Sequence, residues 1–174
     1  MDVFNKRIIL IIMKTLLCII LFVISFNITA FELRYNCGGK FETLKTMTFS
    51  DNSKYFDFKN EGTCTDNLGN YNYYLCFGLF ETKSDNIIRN SFICEQTFQD
   101  QSKIWARVER NKNTERSASI GKQIIVDATG KWKTLIGTEC TYGIKTLDHN
   151  IETSFSFSSH KCTITKEQKA IISD

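Results

Sequence analysis

The sequence predicts a mainly antiparallel β-sheet with at most one substantial helix, stapled by disulfides. Three observations lead there. Short runs rich in β-branched and aromatic residues alternate apolar with polar at period two, separated by Asn, Asp, Gly and Ser clusters. An apolar leader marks the chain for export. Six of the seven cysteines remain once Cys18 leaves with that leader, and an even number in an exported chain reads as three bridges.

The leader is read from Met13-Lys14, an apolar stretch from Leu16 to Phe26, and Ile28-Thr29-Ala30. Cleavage after Ala30 makes residues 1–30 a signal peptide and residues 31–174 one secreted domain. Met13 is an alternative start, with Met1 the upstream choice. The rival reading is an uncleaved anchor. The run from Ile8 to Phe26 nearly reaches the roughly 20 apolar residues of a span. Lys14 interrupts it, and a lysine at mid-span costs about 2.5–3.5 kcal/mol. No later segment is expected to span a bilayer, so no stable membrane association follows cleavage.

Phe31 to Cys37 places Phe31, Leu33, Tyr35 and Cys37 on one face of a strand, and Gly38-Gly39 is expected to turn the chain. Lys54 to Lys59 and Tyr71 to Phe80 read as strands, with a turn-rich loop from Thr65 to Asn70 between them. Ser84 to Gln99 supports two readings. Ile88 and Phe92 match helical spacing with Ser84 as N-cap, and Ser91 to Cys94 also suits a strand. Lys103 to Arg110 alternates, with Ile104, Ala106 and Val108 inward or the reverse, and Asn111 to Ser119 is a polar loop. Lys122 to Asp127 and Lys131 to Tyr142 are expected strands, joined by a tight hairpin at Asp127-Ala128-Thr129-Gly130. Ile151 to Thr165 alternates again, and Thr165-Lys166-Glu167-Gln168 is spaced as a capping box for a last short helix.

Composition narrows the function classes. The chain has no proline, which argues against proline-rich linkers and stalks. Of 22 Lys and Arg and 19 Asp and Glu, the leader removes Lys6, Arg7, Lys14 and Asp2, leaving a net charge of about +1. Nothing in that balance demands a polyanionic partner. Cys37, Cys64, Cys76, Cys94, Cys140 and Cys162 contain no Cys-x-x-Cys pair, and the only histidines are His149 and His160, so neither a metal site nor a cofactor is expected. Cys64–Cys76 is plausible as a bridge by nearness in sequence.

Three local patterns carry a family resemblance. They are Tyr35-Asn36-Cys37-Gly38-Gly39 just past the leader; Lys122 to Gly130 followed by Leu135-Ile136-Gly137-Thr138; and Phe157 shortly before Lys161-Cys162-Thr163. Together they resemble the small secreted ribonuclease-like effectors of powdery mildew fungi, diverged relatives of the microbial guanyl-preferring ribonucleases. The resemblance implies a virulence role for a fungal pathogen. It implies an α+β fold, a helix packed on a twisted antiparallel sheet. It also implies a Cys37–Cys162 bridge joining the first and last mature cysteines, leaving Cys64, Cys76, Cys94 and Cys140 to make two more in an undetermined pairing.

The family's RNA-cleaving chemistry needs a base, a histidine acid and an arginine on the phosphate. At the matching positions stand Gln123 for the arginine and Thr138 for the histidine, and no histidine occurs between Phe31 and Asp148. His149 and His160 are each better read as ordinary histidines than as a rebuilt acid–base pair, and Glu139 as a solvated sheet residue. No catalytic residue is therefore expected. Two basic clusters around tryptophan are candidate contacts for RNA or another partner: Lys103, Trp105, Arg107 and Arg110, with Lys112 and Arg116 beyond, and Lys131-Trp132-Lys133. The bland alternative is a solvated strand face, with Trp132 in the core.

The reading that follows is a secreted, non-catalytic effector that binds a host macromolecule, protein or RNA. A secreted ribonuclease with a rearranged site, and an unrelated disulfide-rich inhibitor or surface protein, are the alternatives.

Overall fold

A computed structural model describes residues 30–147 and 153–173. The expected leader therefore lies outside the described residues except for Ala30, and His149 lies outside them too. Eight strands follow one another: β1 (Ala30–Thr48), β2 (Lys54–Asp66), β3 (Tyr71–Lys83), β4 (Asn86–Phe98), β5 (Lys103–Arg110), β6 (Ala118–Ala128), β7 (Glu139–Leu147) and β8 (Thr153–Thr165). Each is antiparallel to the next, and β8 returns beside β1 to close a barrel. A 3-10 helix (Gly130–Leu135) and a short helix α1 (Lys166–Ser173) complete it.

This corrects the expected fold class. The α+β arrangement of one helix on an open twisted sheet does not form, because among the described residues no long helix is present to cover a sheet face. The sheet instead buries one face by curling onto itself, which also removes its edges. Ser84 to Gln99 becomes β4. Ser84, the expected N-cap, sits with Asp85 at the tip of the β3–β4 hairpin, both with positive φ (50° and 64°), the twist that a two-residue hairpin turn requires. From Asn90 to Phe98 the inward positions then recur at every second residue, with Phe92, Cys94, Gln96 and Phe98 buried.

Two expected turns also fail. β1 runs straight through Gly38-Gly39, where the missing side chain at Gly39 lets Glu61 and Tyr74 approach. No tight hairpin forms after Asp127, and Lys131 to Leu135 coils as 3-10 helix rather than strand. That turn drives Trp132 and Leu135, three residues apart, into the open end of the barrel, where Trp132 stacks on Phe98 at 3.8 Å. Buried Ile172 of α1 belongs to the same cluster. The capping box at α1 forms as expected: Gln168 N donates to Thr165 Oγ1 and Thr165 N donates to Gln168 Oε1.

The disulfides also differ from expectation. Cys37 bonds Cys64, Cys76 bonds Cys94 and Cys140 bonds Cys162. Neither Cys37–Cys162 nor Cys64–Cys76 exists. The reason is register: each bonded pair stands directly opposite across one hairpin, on the inward face. The first and last strands, β1 and β8, are brought together by barrel closure rather than by sulfur.

The interior is layered. At the end closed by the 3-10 helix lie Leu33, Phe98, Ile104, Trp132, Leu135 and Ile164. Towards the opposite end, Phe58 stacks between Phe41 (4.9 Å) and Phe80 (4.7 Å), with Phe92 edge-on at 5.3 Å. The middle layer is polar, and it holds the bridges together with Tyr35, Gln96, Gln123, Tyr142 and His160.

Candidate functional site

Two regions of this barrel carry chemistry: its polar middle and its outer surface. In the middle, the His160 ring lies between Tyr35 (centroids 4.3 Å apart) and Tyr142 (5.3 Å), both nearly parallel to it. Burial alone drives the imidazole down to about 3, so it is neutral at physiological pH. Its Nε2 meets Ser158 Oγ at 2.9 Å and its Nδ1 has no partner. Burial raises the Tyr35 hydroxyl, against the hydrogen bonds of Gln96 and Gln123. It pushes Tyr142 up to about 12, against the pull of Arg110.

Arg110 is the surprise of this layer. It continues the inward parity of Ile104, Ala106 and Val108 and is only 5% exposed. Asn90 fixes its backbone in both directions: Arg110 N donates to Asn90 Oδ1 (2.7 Å) and Asn90 Nδ2 donates to Arg110 O (2.9 Å). Its guanidinium lies 4.7 Å over the Phe80 ring and donates from Nη1 to the Arg116 carbonyl at 2.9 Å. Burial lowers its pKa. Arg110 borders two voids, one of about 40 Å³ in the polar middle and one of about 10 Å³ at the barrel end beside Arg116, Ser117, Thr146 and Ser154. The loop between β5 and β6 covers that end, bonding Asn113 N to Ile87 O and Ile87 N to Thr114 O. With both ends covered, the interior has room for a few waters and none for an organic ligand.

The basic clusters predicted from sequence come apart. Trp132 is buried as a plug and Arg110 points inward. Of the remainder, Lys103 and Trp105 both spend their donors on Glu95, at 2.7 and 2.8 Å. Glu95 is held below its usual pKa, chiefly by the Lys103 hydrogen bond. Arg107, Lys112 and Lys133 are exposed, and Lys131 and Arg116 are half-buried. On β5, Arg107 remains exposed at the next outward position from Trp105, whose indole N–H is held by Glu95. Among the described residues no three His, Cys, Asp or Glu side chains gather as a metal ion requires, and no helix is long and apolar enough to cross a membrane.

The outer surface has a feature that the sequence reading passed over. Every outward position of β3 from Tyr71 to Leu79 is apolar or aromatic: Tyr71, Tyr73, Leu75, Phe77 and Leu79. Tyr71, Tyr73 and Phe77 are 58%, 47% and 50% exposed. Ile93 of β4 stands opposite Phe77 and extends the patch. Ion pairs border it: Lys59 with Glu61 (2.8 Å), Arg89 with Glu81 (3.6 Å) and Lys103 with Glu95 (2.7 Å). The Tyr73 hydroxyl donates to Glu61 at 2.6 Å, fixing its ring on the surface. The signal was present in the sequence, because Cys76 marks the inward parity of β3 and leaves the odd-numbered residues outside. A second apolar area lies across β6, β7 and β8, an open groove of about 820 Å³ with Ile120 and Phe157 along it and the bare backbone of Gly143 in its floor.

No protein-family model matches this chain, and no curated protein matches it.

Proposed function

We propose that this chain is an exported binding protein that docks a protein partner through the outer face of β3 and performs no catalysis. The observation that carries the reading is the unbroken apolar stripe Tyr71, Tyr73, Leu75, Phe77 and Leu79 on a strand whose other face is already buried. An antiparallel sheet facing water on one side ordinarily alternates to polar there. An apolar, tyrosine-bearing centre with a polar rim is the anatomy of protein–protein interfaces.

The charges favour protein over RNA as the host macromolecule. RNA draws on cations free to neutralise phosphate. Of the cations bordering this stripe, Lys59, Arg89 and Lys103 each face a carboxylate, and Arg107, opposite Ile93, is the exposed one that does not. The absence of catalysis is supported by the enclosure of His160, a neutral ring between two tyrosines. Three disulfides fit an oxidising, extracellular setting.

The test compares two variants that retain all three bridges. Phe77→Asp strikes the stripe, and Ile120→Asp strikes the groove on β6. Binding to a partner captured by cross-linking and then purified should weaken roughly 30-fold or more in Phe77→Asp, as for a central interface aromatic. It should be unchanged in Ile120→Asp. Equal affinity of wild type and Phe77→Asp would remove the β3 face from the account. Self-association abolished by Phe77→Asp would assign that face to a second copy instead, and RNA in place of protein in the cross-linked product would overturn the choice of partner.

A further inference from the structure

We infer that the barrel interior holds a small inorganic anion of halide size beside the Arg110 guanidinium. A guanidinium keeps its charge at physiological pH even when burial lowers its pKa. Among the described residues no Asp or Glu is buried, and none borders the two voids that Arg110 lines. A charge taken out of water without a counter-charge is costly, and the Phe80 face beneath it offsets only part of that.

The site has unused donors and matching space. Arg110 Nε is buried with no acceptor of its own, and the Tyr142 hydroxyl stands beside the same guanidinium. The side chains of Gln123 and Ser158 line the same void of about 40 Å³. One water needs roughly 10–15 Å³ of such space. The void therefore takes a halide, or a halide with a water, and nothing as large as a carboxylic acid with a chain. Water alone would satisfy the hydrogen bonds and leave the charge uncompensated. The smaller void, where Arg116 joins Arg110, gives the approach the same positive sign.

Thermal unfolding in sodium bromide against sodium gluconate at equal ionic strength tests this. The midpoint should rise saturably in bromide, by roughly 2–4 °C, and the rise should vanish in Arg110→Met. Because that variant removes a buried side chain and can fail to fold, anomalous diffraction from bromide-soaked wild-type crystals gives an independent reading. A bromide peak between Arg110 Nε and Tyr142 Oη is the expected result. Water alone in that void, or a midpoint indifferent to bromide, would overturn the inference. This test stands apart from the one on the β3 face, since the outward residues Tyr71, Tyr73, Leu75, Phe77 and Leu79 do not line either void.

Discussion

Taken as four successive hairpin pairs, the eight strands carry a disulfide on the inward face of β1–β2, of β3–β4 and of β7–β8. The fourth, β5–β6, has none. Its inward residues Ala106, Val108 and Arg110 face Ile125, Gln123 and Gly121. It is held by packing, by the Asn90 clamp and by the covering loop. Gly121 matters here because a Cβ at that position would sit 2.6 Å from the Tyr142 ring. The contrast shows how a barrel can keep so polar a middle. Covalent links in three quarters of the wall contribute stability that an interior of tyrosine, glutamine, histidine and arginine does not. The unlinked pair is where Arg110 enters, the one buried guanidinium among the described residues.

The largest effect that would break this contrast is loss of a bridge. Replacing both Cys140 and Cys162 by Ala opens a loop closed at a separation of 22 residues. The chain-entropy account then predicts a loss of about 3 kcal/mol, read from denaturant midpoints. Amide exchange in β7–β8 should rise to the rate of β5–β6, which in the wild type should be the fastest of the four hairpins. A β5–β6 hairpin as protected as the other three would erase the distinction.

A smaller effect sharpens it by acting on the non-covalent interior alone. The folded pKa of His160 is depressed to about 3 from 6.5, so the unfolded chain binds the proton more readily. The stability contributed by the neutral ring is complete above pH 6.5 and is lost as pH falls from 6.5 towards 3. The limiting slope is about 1.4 kcal/mol per pH unit for one proton. Stability of wild type minus that of His160→Gln, measured across that range, should show this slope. Identical profiles would place a solvated histidine there.

Much of the wall was legible in the sequence. Strand-like runs located β2, β3, β5, β6 and β8, and of the two facings left open for β5 the structure takes the one with Ile104, Ala106 and Val108 inward. Extending that parity by one step would have sent Arg110 inside. The misreadings share a physical cause, which is that local spacing does not report what a segment packs against. Ile88 and Phe92 fit a helix and a strand equally, and only the positive-φ turn at Ser84-Asp85 with β3 as neighbour decides it. Lys131 to Leu135 looked like strand until the barrel end supplied a hole for Trp132. The bridge pattern was drawn from the family resemblance rather than from register, and strand register is a property of the closed sheet that no single stretch displays. The β3 stripe is hidden for the opposite reason: both faces of the strand are rich in apolar residues, so alternation marks neither as outward.

Non-reducing peptide mapping of the exported protein tests the central claim most directly. Local stapling of three hairpins predicts linked peptides containing Cys37 with Cys64, Cys76 with Cys94, and Cys140 with Cys162. A peptide linking Cys37 to Cys162, or free thiols at these positions, would contradict it.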